Sequence, residues 1–194
     1  MGLETRRALL ANVPDLIRIR MMAYGGFDEA LFEGMEQSVE GIIETELLNP
    51  KLTAHYKNYW VTLSRDKIVG RLLAFPWDDF ESDSYNPLVP EERYLIMEPI
   101  EDLEAPGTYH ISALSVYPEF TRQGIGSVLL ELARELAIEK NFIKLSLFVF
   151  AENTGAVSLY KKHGYREVGH RSLDPHPKFY YWGDILLMTC QIRP

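Results

Sequence analysis

Leu114-Ser115-Val116-Tyr117-Pro118-Glu119-Phe120-Thr121-Arg122-Gln123-Gly124-Ile125-Gly126-Ser127 is the segment from which the rest of this chain can be read. Its apolar lead ends at Pro118, which cannot continue a strand ladder. A short polar loop follows. Gly124 and Gly126 then open a run in which Ile125, Leu129, Leu132 and Leu136 share one face at helical spacing. The first N–H groups of a helix lack partners within it and lie at the positive end of its dipole, and glycines let an anion approach them. The segment suits a pyrophosphate, and a plain tight turn into a helix is the alternative reading.

Spacing narrows the choice of ligand. A P-loop would need Gly-Lys-Ser/Thr after its spacer, and that pattern is absent. A dinucleotide fingerprint begun at Gly124 would want its third glycine where Leu129 stands. Both nucleotide classes lose support.

Working outward, Tyr109–Val116 reads as a strand, Ile125–Lys140 as a helix, Leu145–Phe150 as a strand and Thr154–His163 as a helix. That alternation implies a βαβ crossover with at least one parallel pair. Upstream, Asn12-Val13-Pro14-Asp15 starts a helix that Gly25-Gly26 ends, and Val39–Leu48 forms another. Tyr59–Leu63 and Ile68–Phe75 read as a hairpin turning at Arg65-Asp66-Lys67. The stretch 76–107, rich in acids and prolines, reads as an irregular insertion with one short strand at Tyr94–Met97. Between Arg166 and Cys190 lie two more strand-like runs, parted by Asp174-Pro175-His176-Pro177. The expected fold class is α/β: a central twisted mixed sheet of six or seven strands flanked by helices, in a single domain over 1–194.

Composition agrees. The chain has 194 residues, 46% of them hydrophobic and 25% charged, which fits one globular domain and excludes disorder and collagen-like repeats. With 20 Lys plus Arg against 28 Asp plus Glu, the net charge of −8 argues against nucleic acid as a partner. The lone Cys190 cannot form a disulfide within the chain, and no Cys/His cluster has zinc spacing, so no metal is expected. No apolar run approaches the roughly 18 residues of a membrane helix, and the first residues lack a signal-peptide core. A cytoplasmic protein without membrane attachment is the expectation, and a homodimer is left open.

Two motifs carry a resemblance. Leu114-x-Val116-x-Pro118, three loop residues and Arg122-Gln123-Gly124-Ile125-Gly126 look like the acetyl-CoA loop of the GNAT superfamily of N-acetyltransferases. Asn153-x-x-Ala156-x-x-Leu159-Tyr160-x-x-x-Gly164-Tyr165 resembles that superfamily's next strand-to-helix segment, in the right order. The resemblance covers essentially the whole chain. It implies acetyl-CoA as cosubstrate and transfer of acetyl to a primary amine of a small molecule or peptide, by direct attack in a ternary complex. A catalytically silent acyl-CoA-binding sensor or interaction module is the alternative.

Carried over residue by residue, the resemblance implies cofactor contacts from Leu114, Ser115, Val116, Thr121, Arg122, Gln123, Gly124, Ile125, Gly126, Ser127, Asn153 and Ala156. Thr121 stands where the family usually has Gln or Arg, so its hydroxyl or Arg122 is expected to substitute. Tyr160 takes the general acid's place, with an aromatic packing role as the other reading. His110 is the candidate general base, with a histidine hydrogen-bonded in the sheet as its alternative. The acceptor would lie near Tyr24, Phe27, Asp28 and the loop ending at Trp182. The acids Asp78, Asp79, Glu81 and Asp83 could draw a cationic amine there, or simply be solvated.

Overall fold

Strands β1 (Leu3–Arg7), β2 (Trp60–Ser64), β3 (Lys67–Pro76), β4 (Tyr109–Val116), β5 (Lys144–Phe150), β6 (Arg166–Leu173) and β7 (Gly183–Gln191) form one mixed sheet. Its order is β1-β2-β3-β4-β5-β7-β6 in this computed structural model, which describes residues 2–23, 25–79, 89–181 and 183–192. Among the described residues only β4 and β5 pair in parallel, and the other neighbouring pairs are antiparallel. The helices whose full extent is described are α1 (Val13–Ala23), α2 (Phe27–Leu31), α3 (Val39–Leu48), α4 (Glu98–Glu101), α5 (Ile125–Glu139) and α6 (Thr154–Lys162). Helix α5 makes the crossover between the parallel strands, as the strand–helix–strand order predicts.

Side-chain alternation along the strands sorts the core into layers. On β3, Leu72 packs in the cluster with Ile125, Leu129 and Ala133 of α5, while Leu73 packs in the cluster with Leu16 and Ile19 of α1 and Ile42 and Ile43 of α3. Helices therefore cover both faces. Ser38 caps α3 by accepting from Gly41 N at 3.2 Å, and Asn153 caps α6 by accepting from Ala156 N at 3.2 Å.

Three elements differ from the sequence reading. Strand β1 was not anticipated, because Leu3-Glu4-Thr5-Arg6-Arg7 lacks apolar alternation; it needs none, since it lies at the sheet edge. Helix α2 was also missed. The expected strand at Tyr94–Met97 is instead part of a 3₁₀ run, Glu91–Met97, which starts after Pro90 and leads directly into α4 with Pro99 in its first turn. The hairpin turn is shorter than expected: Arg65 and Asp66 both take positive φ (50° and 64°), so Lys67 already belongs to β3.

The stretch 76–107 is more than a loop. Trp77, Ile100, Leu103 and Ala105 are buried in a third apolar cluster with Phe27, Phe150, Leu173, Ile185 and Leu187. Its described part builds a wall over one end of the sheet. Asp78 and Asp79 are exposed on it, while Glu81 and Asp83 lie outside the described residues.

A buried ionic brace ties the first three helices together. Arg20 of α1 makes two hydrogen bonds to Asp28 of α2 (2.8 and 2.6 Å) and one to Glu46 of α3 (2.6 Å), and all three are buried. Removing one member of such a group strands the other charges in a poor solvent, at a cost of about 3–5 kcal/mol. Arg20→Leu is therefore expected to lower unfolding stability by about that amount, read as a shift of the urea midpoint at unchanged m-value.

Candidate active site

Strands β4 and β5 pair only over Tyr109–Ile111 with Leu145–Leu147, although β4 runs on to Val116 and β5 to Phe150. On their outer sides they stay paired, β4 with β3 as far as Val116 and β5 with β7 as far as Phe150. The two strands therefore diverge into a V edged by main-chain N–H and C=O groups. A bulge accompanies the parting: Ala74 opposes Ile111 and Leu73 opposes Ala113, leaving Ser112 as the extra residue on β4. A cleft of about 580 Å³ occupies the V and the space beside it, and Leu114, Ser115, Asn153 and Tyr160 all line it.

The glycine loop stands beyond the end of β4. Arg122 and Gly124 both take left-handed φ (58° and 84°), and Gly124 caps a 15-residue α5 without a side-chain bond, so no side chain caps its first N–H groups. A Cβ on Gly124 would meet nothing within 4 Å, whereas one on Gly126 would come within 2.8 Å of Leu159 Cδ2. The first glycine thus faces open space and the second lets α5 approach α6. These features fit a pyrophosphate held by main-chain donors.

The side chains of this loop serve the loop itself. Thr121 Oγ1 donates to Pro118 O at 2.8 Å, and Thr121 N donates to the same oxygen at 3.2 Å. Both donors close the turn, and Arg122 beside it is exposed. Gln123 Nε2 donates to Glu119 O at 3.2 Å, Ser127 Oγ contacts His163 Nε2 at 2.9 Å, and Ile125 is a core side chain.

Tyr160 is buried beside Tyr165, with ring centroids 5.8 Å apart, and burial pushes its phenol up to about 12. It holds its proton at any working pH. Asn153 and Ala156 meet in the α6 cap, with Asn153 on the cleft wall.

His110 is 1% exposed, packed against Trp77, Phe148 and Phe75 at centroid distances of 5.1, 5.2 and 6.3 Å. Its Nδ1 contacts Ser146 Oγ at 2.9 Å. Burial depresses its pKa to about 3. A general base works best with a pKa near the operating pH, and burial moves this ring below that range.

Phe27 and Asp28, expected near an acceptor, line the cleft together with Tyr181. Tyr24 and Trp182 lie outside the described residues. Sequence reasoning missed Arg20, Glu46 and Trp77, which also line it. A signal for two of them was present: Arg20 stands four residues after Leu16, and Glu46 between Ile43 and Leu47, on otherwise apolar helix faces.

A mixed sheet split at its parallel pair, with a glycine-opened helix at the mouth of the split, is the architecture of an acyltransferase. Residues 27–165 match the model of the Acetyltransferase (GNAT) family, and the chain belongs to that family. Over 58 residues it is 38% identical to the N-terminal acetyltransferase B complex catalytic subunit NAA20 of Arabidopsis thaliana, a match spanning 29% of this chain and 33% of that one. An N-acetyltransferase from Staphylococcus aureus Mu50 shares the fold with a TM-score of 0.69 at 19% identity, over 95% of this chain and 99% of that one. The PaiA N-acetyltransferase of Thermoplasma acidophilum, solved in complex with coenzyme A, gives 0.57 at 15% identity over 98% and 99%. Among the described residues no group of three or more His, Cys, Asp or Glu is placed to hold a metal, and no helix is long and apolar enough to cross a membrane.

The buried imidazole makes stability depend on pH. Folded His110 stays neutral down to about 3, whereas the unfolded ring takes a proton below about 6.5. Its contribution is complete above pH 6.5 and is lost as pH falls toward 3, with a slope of up to about 1.4 kcal/mol per pH unit. His110→Gln is expected to flatten that part of the profile by about one proton, measured by urea unfolding at a series of pH values.

Proposed function

We propose that this chain is an acetyl-CoA-dependent N-acetyltransferase that acetylates a primary amine of a small molecule or peptide by direct attack in a ternary complex. The observation that carries this reading is the V between β4 and β5, with a helix N-terminus beyond its mouth. Acetyl-CoA, when bound, supplies an activated acetyl thioester. Leu114, Ser115 and Val116 offer strand-edge groups to the amides of its pantetheine arm, as a sheet edge does to an added strand. The main-chain N–H groups from Arg122 to Ser127 would hold the pyrophosphate, with Arg122 as a flanking cation.

Tyr160 lines the cleft as a protonated phenol and would donate a hydrogen bond to the leaving sulfur. Complete proton transfer from a phenol at about 12 to a thiolate near 8.5 runs uphill, so charge stabilisation would be its main contribution, with the amine's proton passing to water and the thiolate taking one from water. The acceptor end combines the Asp28–Arg20–Glu46 brace, with two carboxylates to one guanidinium, and the rings of Phe27, Phe150 and Tyr181. Carboxylates and aromatic faces together favour a cationic acceptor.

Thermal stabilisation by acetyl-CoA tests the loop, and release of free thiol across a panel of amines, amino acids and peptides tests catalysis. Stabilisation without turnover on any acceptor would favour a silent acyl-CoA-binding module. No stabilisation by any acyl-CoA would overturn both. Tyr160→Phe is expected to lower kcat about 100-fold with little change in the KM for acetyl-CoA. Gly124→Val, forced into a left-handed conformation, is expected to cost about 1–2 kcal/mol of stability and to weaken acetyl-CoA binding, measured by calorimetry.

A further inference from the structure

The hydroxyl of Ser127 and the ring of His163 meet where α5 and α6 come together. Helix α5 begins its ladder with Val128 N donating to Gly124 O at 3.1 Å, which leaves the N–H of Ser127 outside it. The Oγ of this same residue lies 2.9 Å from His163 Nε2. One turn further along α5, Glu131 Oε1 stands 3.8 Å from His163 Nδ1, so the helix meets both ring nitrogens. The histidine is also anchored from behind: its N–H donates to Leu159 O and Tyr160 O at 3.2 and 3.0 Å, and its carbonyl accepts from Cys190 Sγ at 3.4 Å. With 17% of its side chain exposed, the ring is held in place yet open to protons from solvent.

Two states of this ring act differently on the first turn of α5. Against a neutral ring whose Nδ1–H faces Glu131, the one proton of the Ser127 hydroxyl goes to Nε2. Against an imidazolium, Nε2–H donates to Oγ and the hydroxyl proton is released to another acceptor. The imidazolium also sets a cation within about 7 Å of the Ser127 N–H, as bond lengths and the 2.9 Å contact require. The charges around the ring are mixed. Glu131 from α5 and the C-terminal end of α6, which His163 caps, are negative, whereas Lys161 and Lys162 in the last turn of α6 and Arg134 of α5 are positive. Burial pushes up both the Cys190 thiol of β7 and the Tyr165 phenol, so these two stay neutral. An anion at the first turn of α5 tips the balance toward the charged ring.

We propose that His163 is a positioning residue for the pyrophosphate of acetyl-CoA: acting through Ser127, its imidazolium form frees the hydroxyl proton for the anion and sets a cation beside the first turn of α5. This rests on the acetyl-CoA reading of the glycine loop. Proton and anion then bind together, and linkage makes the effect mutual: bound pyrophosphate draws a proton onto the ring, and the protonated ring tightens the pyrophosphate. Affinity is therefore highest below the histidine titration range and falls as pH rises through it. No proton passes to the cofactor, since the ring exchanges its own with solvent.

Calorimetry on the whole chain tests this with dephospho-CoA, which keeps the pyrophosphate and lacks the phosphomonoester that itself titrates at about pH 6. Its affinity is expected to fall about 5-fold between pH 6 and pH 8. Binding at pH 7 should take up a fraction of a proton, read from the heats in two buffers of different ionisation enthalpy. His163→Gln should abolish the uptake and hold the affinity near the wild-type value at pH 8 throughout. Glu131→Gln, a change at an exposed side chain, should keep the fall but move it to lower pH, because the ring loses the carboxylate facing Nδ1. A wild-type affinity that ignores pH overturns the proposal, as does a pH dependence that survives unchanged in His163→Gln. If His163→Gln does not fold, an unmoved profile in Glu131→Gln overturns it. Binding of neither acetyl-CoA nor dephospho-CoA at any pH would overturn the acetyl-CoA reading itself, an outcome distinct from binding that ignores pH.

Discussion

Two adjacent parallel strands that stop pairing partway along create the condition on which the rest of this molecule depends. Main-chain groups buried without partners cost about 1–3 kcal/mol each, so an open V inside a sheet persists only if its edges are hydrated or filled and its outer sides are held. Here β3 and β7 hold the outer sides along the full length of β4 and β5. The bulge at Ser112 turns β4 aside where the parallel ladder ends. Helix α5, packed through Ile125, Leu129 and Ala133, spans the two strands and carries its free N–H groups to the site.

Opening the sheet leaves a cleft whose walls the surrounding chain supplies. The stretch 76–107 contributes Trp77 and Ile100 as walls, and its Ala105 carbonyl accepts a hydrogen bond from Thr108 Oγ1 beside β4. On the opposite side α1, α2 and α3 are clamped by the Arg20 brace, whose carboxylates reach the cleft. The same polar groups that stabilise the walls thus give the cleft its chemical character. Neither wall could be assembled from one segment alone.

Much of the fold was legible because local periodicity and punctuation are strong in this chain. Tyr109–Val116, Val39–Leu48 and the helix opened at Gly124 appear where spacing, caps and glycines placed them. What escaped was whatever local signal does not govern. Leu3–Arg7 is a strand because β2 offers it an edge, and Glu91–Met97 is a 3₁₀ run because prolines and packing exclude a ladder. At the site, the motif located the main-chain donors, but the side chains of Thr121, Gln123 and Ser127 proved to be engaged within the protein.

By itself, the sequence determined the order of elements, the glycine loop and the family, because these rest on residues close together in the chain. Tertiary structure decided where β4 and β5 part, which charges line the cleft and what surrounds the ring of His110. Those outcomes depend on contacts between residues far apart in sequence: Arg20 with Glu46, Thr108 with Ser146, and His110 with Trp77 and Phe148. A titratable ring takes its state from the dielectric and the hydrogen bonds around it, and no reading of neighbouring residues supplies those.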